Sequence, residues 1–268
     1  MLKHWLRKWH QARIARLSRS FQWDDLKRSA IVFSPHQDDE TLGCGGTIVQ
    51  KQQAGAAIKI VFMTDGSGSH SGLMPPQTLA ELRQQEAIAA AEQLGLPEQD
   101  VIFLGLPDGE LSSHQSTAIQ KVTDLLYQYQ PEEVYIPYYL EPHPDHVATN
   151  TAVIGALQEY RQAVMVCEYP VWFWSYWPWV NFSGKIWDLK LLKWLLKVNL
   201  KLMRDFQRSI AIADILDQKR QALEQHESQL KPLVPDPNWT TLQDVSDGMF
   251  LECFFQNYEI FHCYRFPN

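Results

Sequence analysis

The sequence predicts an α/β fold, a mostly parallel sheet with helices on both faces. Three observations predict it. Short, near-continuously apolar runs alternate with longer helical patterns as far as residue 168. Runs of that kind suit strands buried on both faces. Polar loops follow the runs, so they gather along one sheet edge, where open α/β sheets bind ligands.

In chain order, residues 1–22 read as a basic amphipathic helix, with Trp5, Leu6, Trp9, Ile14 and Leu17 among the cations. Its partner is a membrane surface or the chain's own acidic body. The first strand is Ala30 to Phe33 and the first helix Glu40 to Gln53, closed by Gly55. Ala57 to Met63 is a strand ending in Thr64-Asp65-Gly66-Ser67-Gly68. Pro76 to Leu94 is a helix stopped by Gly95 and Pro97. Val101 to Leu104 is the next strand, followed by Pro107-Asp108-Gly109. A helix from Thr117 to Tyr129 ends before Pro131. Val134 to Tyr139 is a strand, Val147 to Tyr160 a helix and Val164 to Glu168 a fifth strand.

The pattern breaks after Pro170. Residues 171–208 read as an insertion, first aromatic, then Leu-rich, with Lys190, Lys193, Lys197 and Lys201 on one helical face. Three readings fit it: a lid, a sugar-stacking and phosphate-holding surface, or an interfacial membrane helix. Beyond it, Ser209 to Ile215 suits a strand and Asp217 to Leu230 a helix. Two aromatic strands, around Met249–Phe255 and Glu259–Tyr264, close the chain. The organisation expected is a basic segment, 1–28, and one domain, 29–268, carrying the insertion.

With 268 residues, 45% of them hydrophobic, the chain can bury a full core. A net charge of -7 and a pI near 5.7 argue against nucleic-acid binding. More than half of the 24 Lys and Arg fall in residues 1–20 and 185–208, which points to a surface meeting something anionic. Cys44, Cys167, Cys253 and Cys263 have no CxxC spacing and fit a reducing compartment better than a disulfide framework. With no transmembrane run and no signal-peptide pattern, the expected location is cytoplasmic, or peripheral on the inner face of the membrane.

Two clusters carry the chemistry. Pro35-His36-Gln37-Asp38-Asp39-Glu40 follows the first strand, and Glu141-Pro142-His143-Pro144-Asp145-His146 follows the fourth. Either alone could be an acidic helix start or a turn. Together at two strand ends they suit one metal ion: His36, Asp39 and His146 make a His/Asp/His set with an open position, as catalytic zinc requires. The metal polarises a carbonyl and acidifies water. Asp38 is left over beside the ligands as a general base. His143, as an imidazolium held by Asp145, would stabilise an oxyanion. These parts suit amide hydrolysis. Gly43-Cys44-Gly45-Gly46 is not a dinucleotide fingerprint, because Ile48 stands where the third glycine belongs. Two rivals stay open: a non-haem Fe(II) enzyme, since two His and a carboxylate suit iron, and a metal- or sugar-binding protein without turnover.

The first cluster resembles the (A/P)HPDDE signature of the PIG-L/LmbE-like zinc-dependent N-deacetylases, and His143-Pro144-Asp145-His146 resembles their HPDH motif. The resemblance extends through Thr64-Asp65-Gly66, Arg83 to Glu86, Leu94-Gly95, Lys219, Ala222-Leu223, His226 and Ser228-Gln229. It implies a Rossmann-like fold and removal of acetyl from an N-acetylglucosamine-type sugar conjugate, with Zn2+ or another divalent metal as cofactor. By motif match, His36, Asp39 and His146 would bind the metal, Asp38 would be the base, and His143, positioned by Asp145, would hold the oxyanion. Arg83 and Asp108 match positions that hold sugar hydroxyls. Two residues depart from the pattern: Gln37 replaces a Pro, and Glu141 replaces a Tyr thought to help the leaving group, a role left to Tyr138 or Tyr139. The partner implied is an N-acetylated sugar conjugate, lipid-linked in the membrane reading.

Overall fold

A computed structural model describes residues 13, 16, 18–70, 72–175, 200, 201 and 204–267. Most of segment 1–22 and of the insertion 171–208 therefore lies outside the described residues, and the amphipathic helix and lysine face expected there lie with it.

Strands are numbered β1 (Arg19–Ser20), β2 (Ala30–Ser34), β3 (Ile58–Thr64), β4 (Val101–Leu106), β5 (Glu133–Pro137), β6 (Val164–Tyr169), β7 (Arg208–Ala211) and β8 (Tyr258–Phe266). Among the described residues, helices of more than two turns are α1 (Asp39–Gln53), α2 (Pro76–Gln93), α3 (Gln115–Tyr129), α4 (Pro144–Tyr160) and α5 (Leu216–Glu224). The strands form one sheet in the order β1-β7-β8-β6-β5-β2-β3-β4. All neighbours run parallel except β8, which is antiparallel to both β6 and β7.

Alternate strand residues feed two cores, one on each face. Val32, Ile60 and Phe62 pack with α1, α2 and α5, while Ile31, Phe33, Val61 and Met63 pack with α3 and α4. Helix α1 lies close on the sheet because its glycines allow it: a Cβ on Gly43 would sit 2.3 Å from the Tyr169 ring, and one on Gly46 2.4 Å from Ile212. From β2 the chain winds one way to β3 and β4, then returns to β2's other side with β5 and β6. That reversal is the crevice where such sheets bind ligands.

Four expectations are corrected. Among the described residues, sheet pairing begins at Arg19–Ser20, inside the segment set apart as 1–28, because those residues pair with β7. The strand expected at Met249–Phe255 is a helical turn, Met249–Glu252, and the chain curls on so that the rings of Phe250 and Phe254 meet at 5.0 Å. The helix expected over Asp217–Leu230 breaks after Glu224 and resumes as a turn at Glu227–Leu230, with His226 buried between them. Cys167 and Cys263 are joined by a disulfide, because β6 and β8 put them opposite each other in register. Nothing in their 96-residue separation announced that pairing.

Candidate active site

Five consecutive β-to-loop junctions converge on a cleft of about 350 Å³. Those after β2, β3 and β4 bring His36, Gly68 and Asp108; those after β5 and β6 bring His143 and Trp172. Asp38 and Asp39 enter from the start of α1, and Arg83 from α2.

Asp39 is the hub. Its Oδ2 lies 3.2 Å from His36 Nδ1 and 3.1 Å from His146 Nε2. Nitrogen and oxygen ligands about 2 Å from a tetrahedral cation stand roughly 3.3 Å apart, so the spacing suits one. Both ring nitrogens of His146 are buried without a hydrogen-bond partner among the described residues. The donor atoms of His36, His143 and His146 also lie within 4.8 Å of one another. An acidic cage with unsatisfied imidazole nitrogens fits a divalent cation held by His36, Asp39 and His146.

Electrostatics agree. Burial alone would lower the pKa of His36, but hydrogen bonds to Asp108, Asp145 and Asp39 outweigh it and hold it well above the usual imidazole value. Burial likewise opposes protonation of His146, yet Asp39 and Glu141 raise it to about 9. Against its own burial, Asp39 is held far below the usual carboxylate range by His146 and His36. Burial and the neighbouring Asp39 push Asp38 up to about 8.

Asp38 lines the cleft from the N-cap of α1 with φ +149° and ψ -27°, a region few side chains adopt. Its amide donates to Glu40 Oε2 at 3.0 Å. The same carboxyl oxygen accepts from Ser34 Oγ, and the other oxygen lies 3.1 Å from Nε2 of buried His226. Gln37, where a Pro was expected, is buried and donates from Nε2 to the Thr64 carbonyl, which ties the loop to β3.

The structure corrects two expected roles. Asp145 does not hold His143: its Oδ2 lies 3.3 Å from His36 Nε2 and accepts from the Gly109 amide at 2.8 Å, while Oδ1 accepts from Leu111. Burial and the nearby His36 and His146 lower the pKa of His143 to about 4, which favours its neutral ring. A neutral ring can still donate one N–H to an oxyanion. Tyr138 and Tyr139 do not line the cleft; both hydroxyls face Asp205.

Arg83 and Asp108 do reach the cleft. Arg83 donates to the Gly66 carbonyl (2.7 Å) and to Gln229 Oε1 (3.0 Å), leaving its buried Nε without a partner among the described residues. Asp108 Oδ1 lies 3.2 Å from His36 Nε2, so this carboxylate orients the ring as well as facing the cleft. The sequence gives no cleft role to Leu242 or Phe250, and reaches Trp172 only as one ring of the aromatic insertion. Trp172 and Phe250 stack at 4.8 Å beside His143. The sugar-stacking reading of the insertion covers Trp172, and no local signal marks Phe250.

The family model described as GlcNAc-PI de-N-acetylase, PIG-L, matches residues 31–157. Over that stretch the chain is similar to the PIG-L family. The matched stretch carries both motif clusters and ends within α4. The diacetylchitobiose deacetylase of Thermococcus kodakarensis is 32% identical over 130 residues, covering 46% of this chain and 46% of the relative. The 4-oxalmesaconate hydratase of Pseudomonas putida is 29% identical over 147 residues, 50% of this chain and 55% of the relative. The chain spans 46 to 62% of the length of the first curated relatives it matches. Among solved structures, the N,N'-diacetylchitobiose deacetylase of Pyrococcus horikoshii superposes with a TM-score of 0.63 at 21% identity, covering 88% of this chain and 84% of that one. The likeness shows a shared fold. Among the described residues, no helix is long and apolar enough to cross a membrane.

Proposed function

We propose that this protein is a divalent-metal hydrolase that removes acetyl from an N-acetylglucosamine-type sugar conjugate, with zinc as the metal. The observation that carries the reading is the His36–Asp39–His146 cluster with the carboxyl group of Asp38 beside it in the cleft. A divalent cation held there supplies Lewis-acid polarisation of the amide carbonyl and eases deprotonation of water. Asp38 takes the proton of the attacking water and returns it to the leaving nitrogen. Neutral His143 donates a hydrogen bond to the oxygen on which charge develops. Asp108 and Asp145 hold the His36 ring in place. Arg83 and Asp108 bind sugar hydroxyls on the polar side, and the Trp172–Phe250 pair takes an apolar sugar face.

The test is acetate release from a panel of N-acetyl sugars, with and without carrier groups, using zinc-loaded protein. Asp38→Asn should lower the rate by about 10²–10⁴-fold and keep the metal. A loaded wild type that releases no acetate from any of them rejects the reading. A second reading, addition of water to a carbon–carbon double bond, draws on the hydratase relative. Hydration of 4-oxalmesaconate without acetate release would favour it.

A further inference from the structure

Glu141 stands where the PIG-L resemblance leads one to expect a Tyr, and its surroundings give it a different task. The residue is 4% exposed and lies in the loop between β5 and α4. Its Oε1 accepts the amides of Val171 (2.9 Å) and Phe173 (3.1 Å), and its Oε2 accepts that of Trp172 (2.6 Å). The same Oε2 is 3.5 Å from Nδ1 of His146. That ring is fully buried, and Nδ1 has no hydrogen-bond partner among the described residues.

We propose that Glu141 is a positioning residue for the metal centre. It fixes the His146 ring with its proton on Nδ1 and leaves the Nε2 lone pair for the cation. The inference rests on the reading that His36, Asp39 and His146 hold a divalent ion. An imidazole bound to metal through one nitrogen needs an acceptor for the N–H on the other. For His146 the carboxylate of Glu141 is the acceptor within reach. The three backbone amides aim that carboxylate, so it cannot turn away from the ring without breaking them. They also tie the metal ligand to the segment that carries Trp172 into the cleft wall.

Glu141→Gln separates charge from shape. The amide oxygen can keep the bonds from Val171 and Phe173. The amide nitrogen would then face the Trp172 N–H and the His146 Nδ1–H, donor against donor. The ring relieves this by moving its proton to Nε2, the nitrogen 3.1 Å from Asp39 Oδ2, which removes the lone pair the cation needs.

The experiment measures zinc affinity by chelator competition for wild type and Glu141→Gln. Long-range imidazole ¹H–¹⁵N spectra of zinc-loaded wild type then show which nitrogen of His146 carries the proton. The expected results are a roughly 10- to 100-fold weaker affinity in the variant and a proton on Nδ1 in the wild type. Equal affinities, or a wild-type ring bound through Nδ1, would overturn this proposal while leaving the metal centre intact. A wild type that binds no divalent cation would overturn the metal reading and this one with it. Should the variant fail to fold, the wild-type spectrum decides alone.

Discussion

Asp38 sits in a backbone conformation that costs on the order of 1–3 kcal/mol for a non-glycine residue. The Ser34–Glu40–His226 chain holds it there, with Glu40 gripping its amide. Its carboxyl group is one of three whose protons compete with a cation. His146 is raised to about 9, Asp38 to about 8, and His36 is held well above the usual imidazole value, so all three favour their protonated forms in the cation-free protein. A cation needs the imidazole lone pairs and favours the carboxylate. Binding therefore releases protons, and affinity should fall as pH drops below 8, by up to about tenfold per unit for each proton displaced. Zinc calorimetry in buffers of different ionisation enthalpy reads this directly; a binding enthalpy independent of buffer at pH 7 would contradict it. At this scale the sequence announced the ligand types and the base. It could not reveal that Asp145 and Asp108 serve His36, because those contacts join residues 36, 108 and 145 through three different loops.

Elements were legible wherever local pattern and burial coincide. Strands β2, β3, β5 and β6 appear as apolar runs because both faces are covered. Helix α4 begins at Pro144, earlier than Val147, because Pro suits a first helical position. His146 is thus carried by a helix, which holds it more firmly than a turn would. The helical turn at Met249–Glu252 was misread because aromatic residues favour strands when taken without neighbours. The α1 glycines make a prediction of their own. Gly46→Ala would press a methyl into Ile212, with contacts of 2.4 and 2.9 Å to its side chain. It should lower stability by about 1–3 kcal/mol in urea unfolding, net of the gain in helix propensity. Gly55→Ala makes a useful contrast, because no atom lies within 4 Å there and any loss comes from its φ of +81°.

At the level of the whole molecule, sheet order was the part least available to pattern, since non-local pairing leaves no local trace. Strand β8 is inserted between β6 and β7 and brings Cys263 onto Cys167. Alkylation of unfolded, unreduced protein should therefore label two of the four cysteines, Cys44 and Cys253, and reduction should add the other two. On β6, Glu168 is 2% exposed, and burial, against bonds from Asn150 and Tyr264, raises its pKa from 4.5 to about 7. The folded state then holds a proton that the unfolded chain has lost, so stability should fall as pH rises from 4.5 to 7. The wild-type loss relative to Glu168→Gln should be about 3 kcal/mol across that window, read from denaturation at several pH values. Parallel pH profiles for the two proteins would refute the assignment.

The cleft draws its two sides from different stretches of chain. Reactive groups come from residues up to 146, while Val171, Trp172, Gln229, Leu242 and Phe250 come from beyond residue 157, where the family match stops. Evolution could therefore retune what the cleft accepts by rewriting the part beyond residue 157 alone, with the reacting atoms untouched. Grafting that part from a relative onto these first 157 residues should transfer substrate preference and preserve metal stoichiometry.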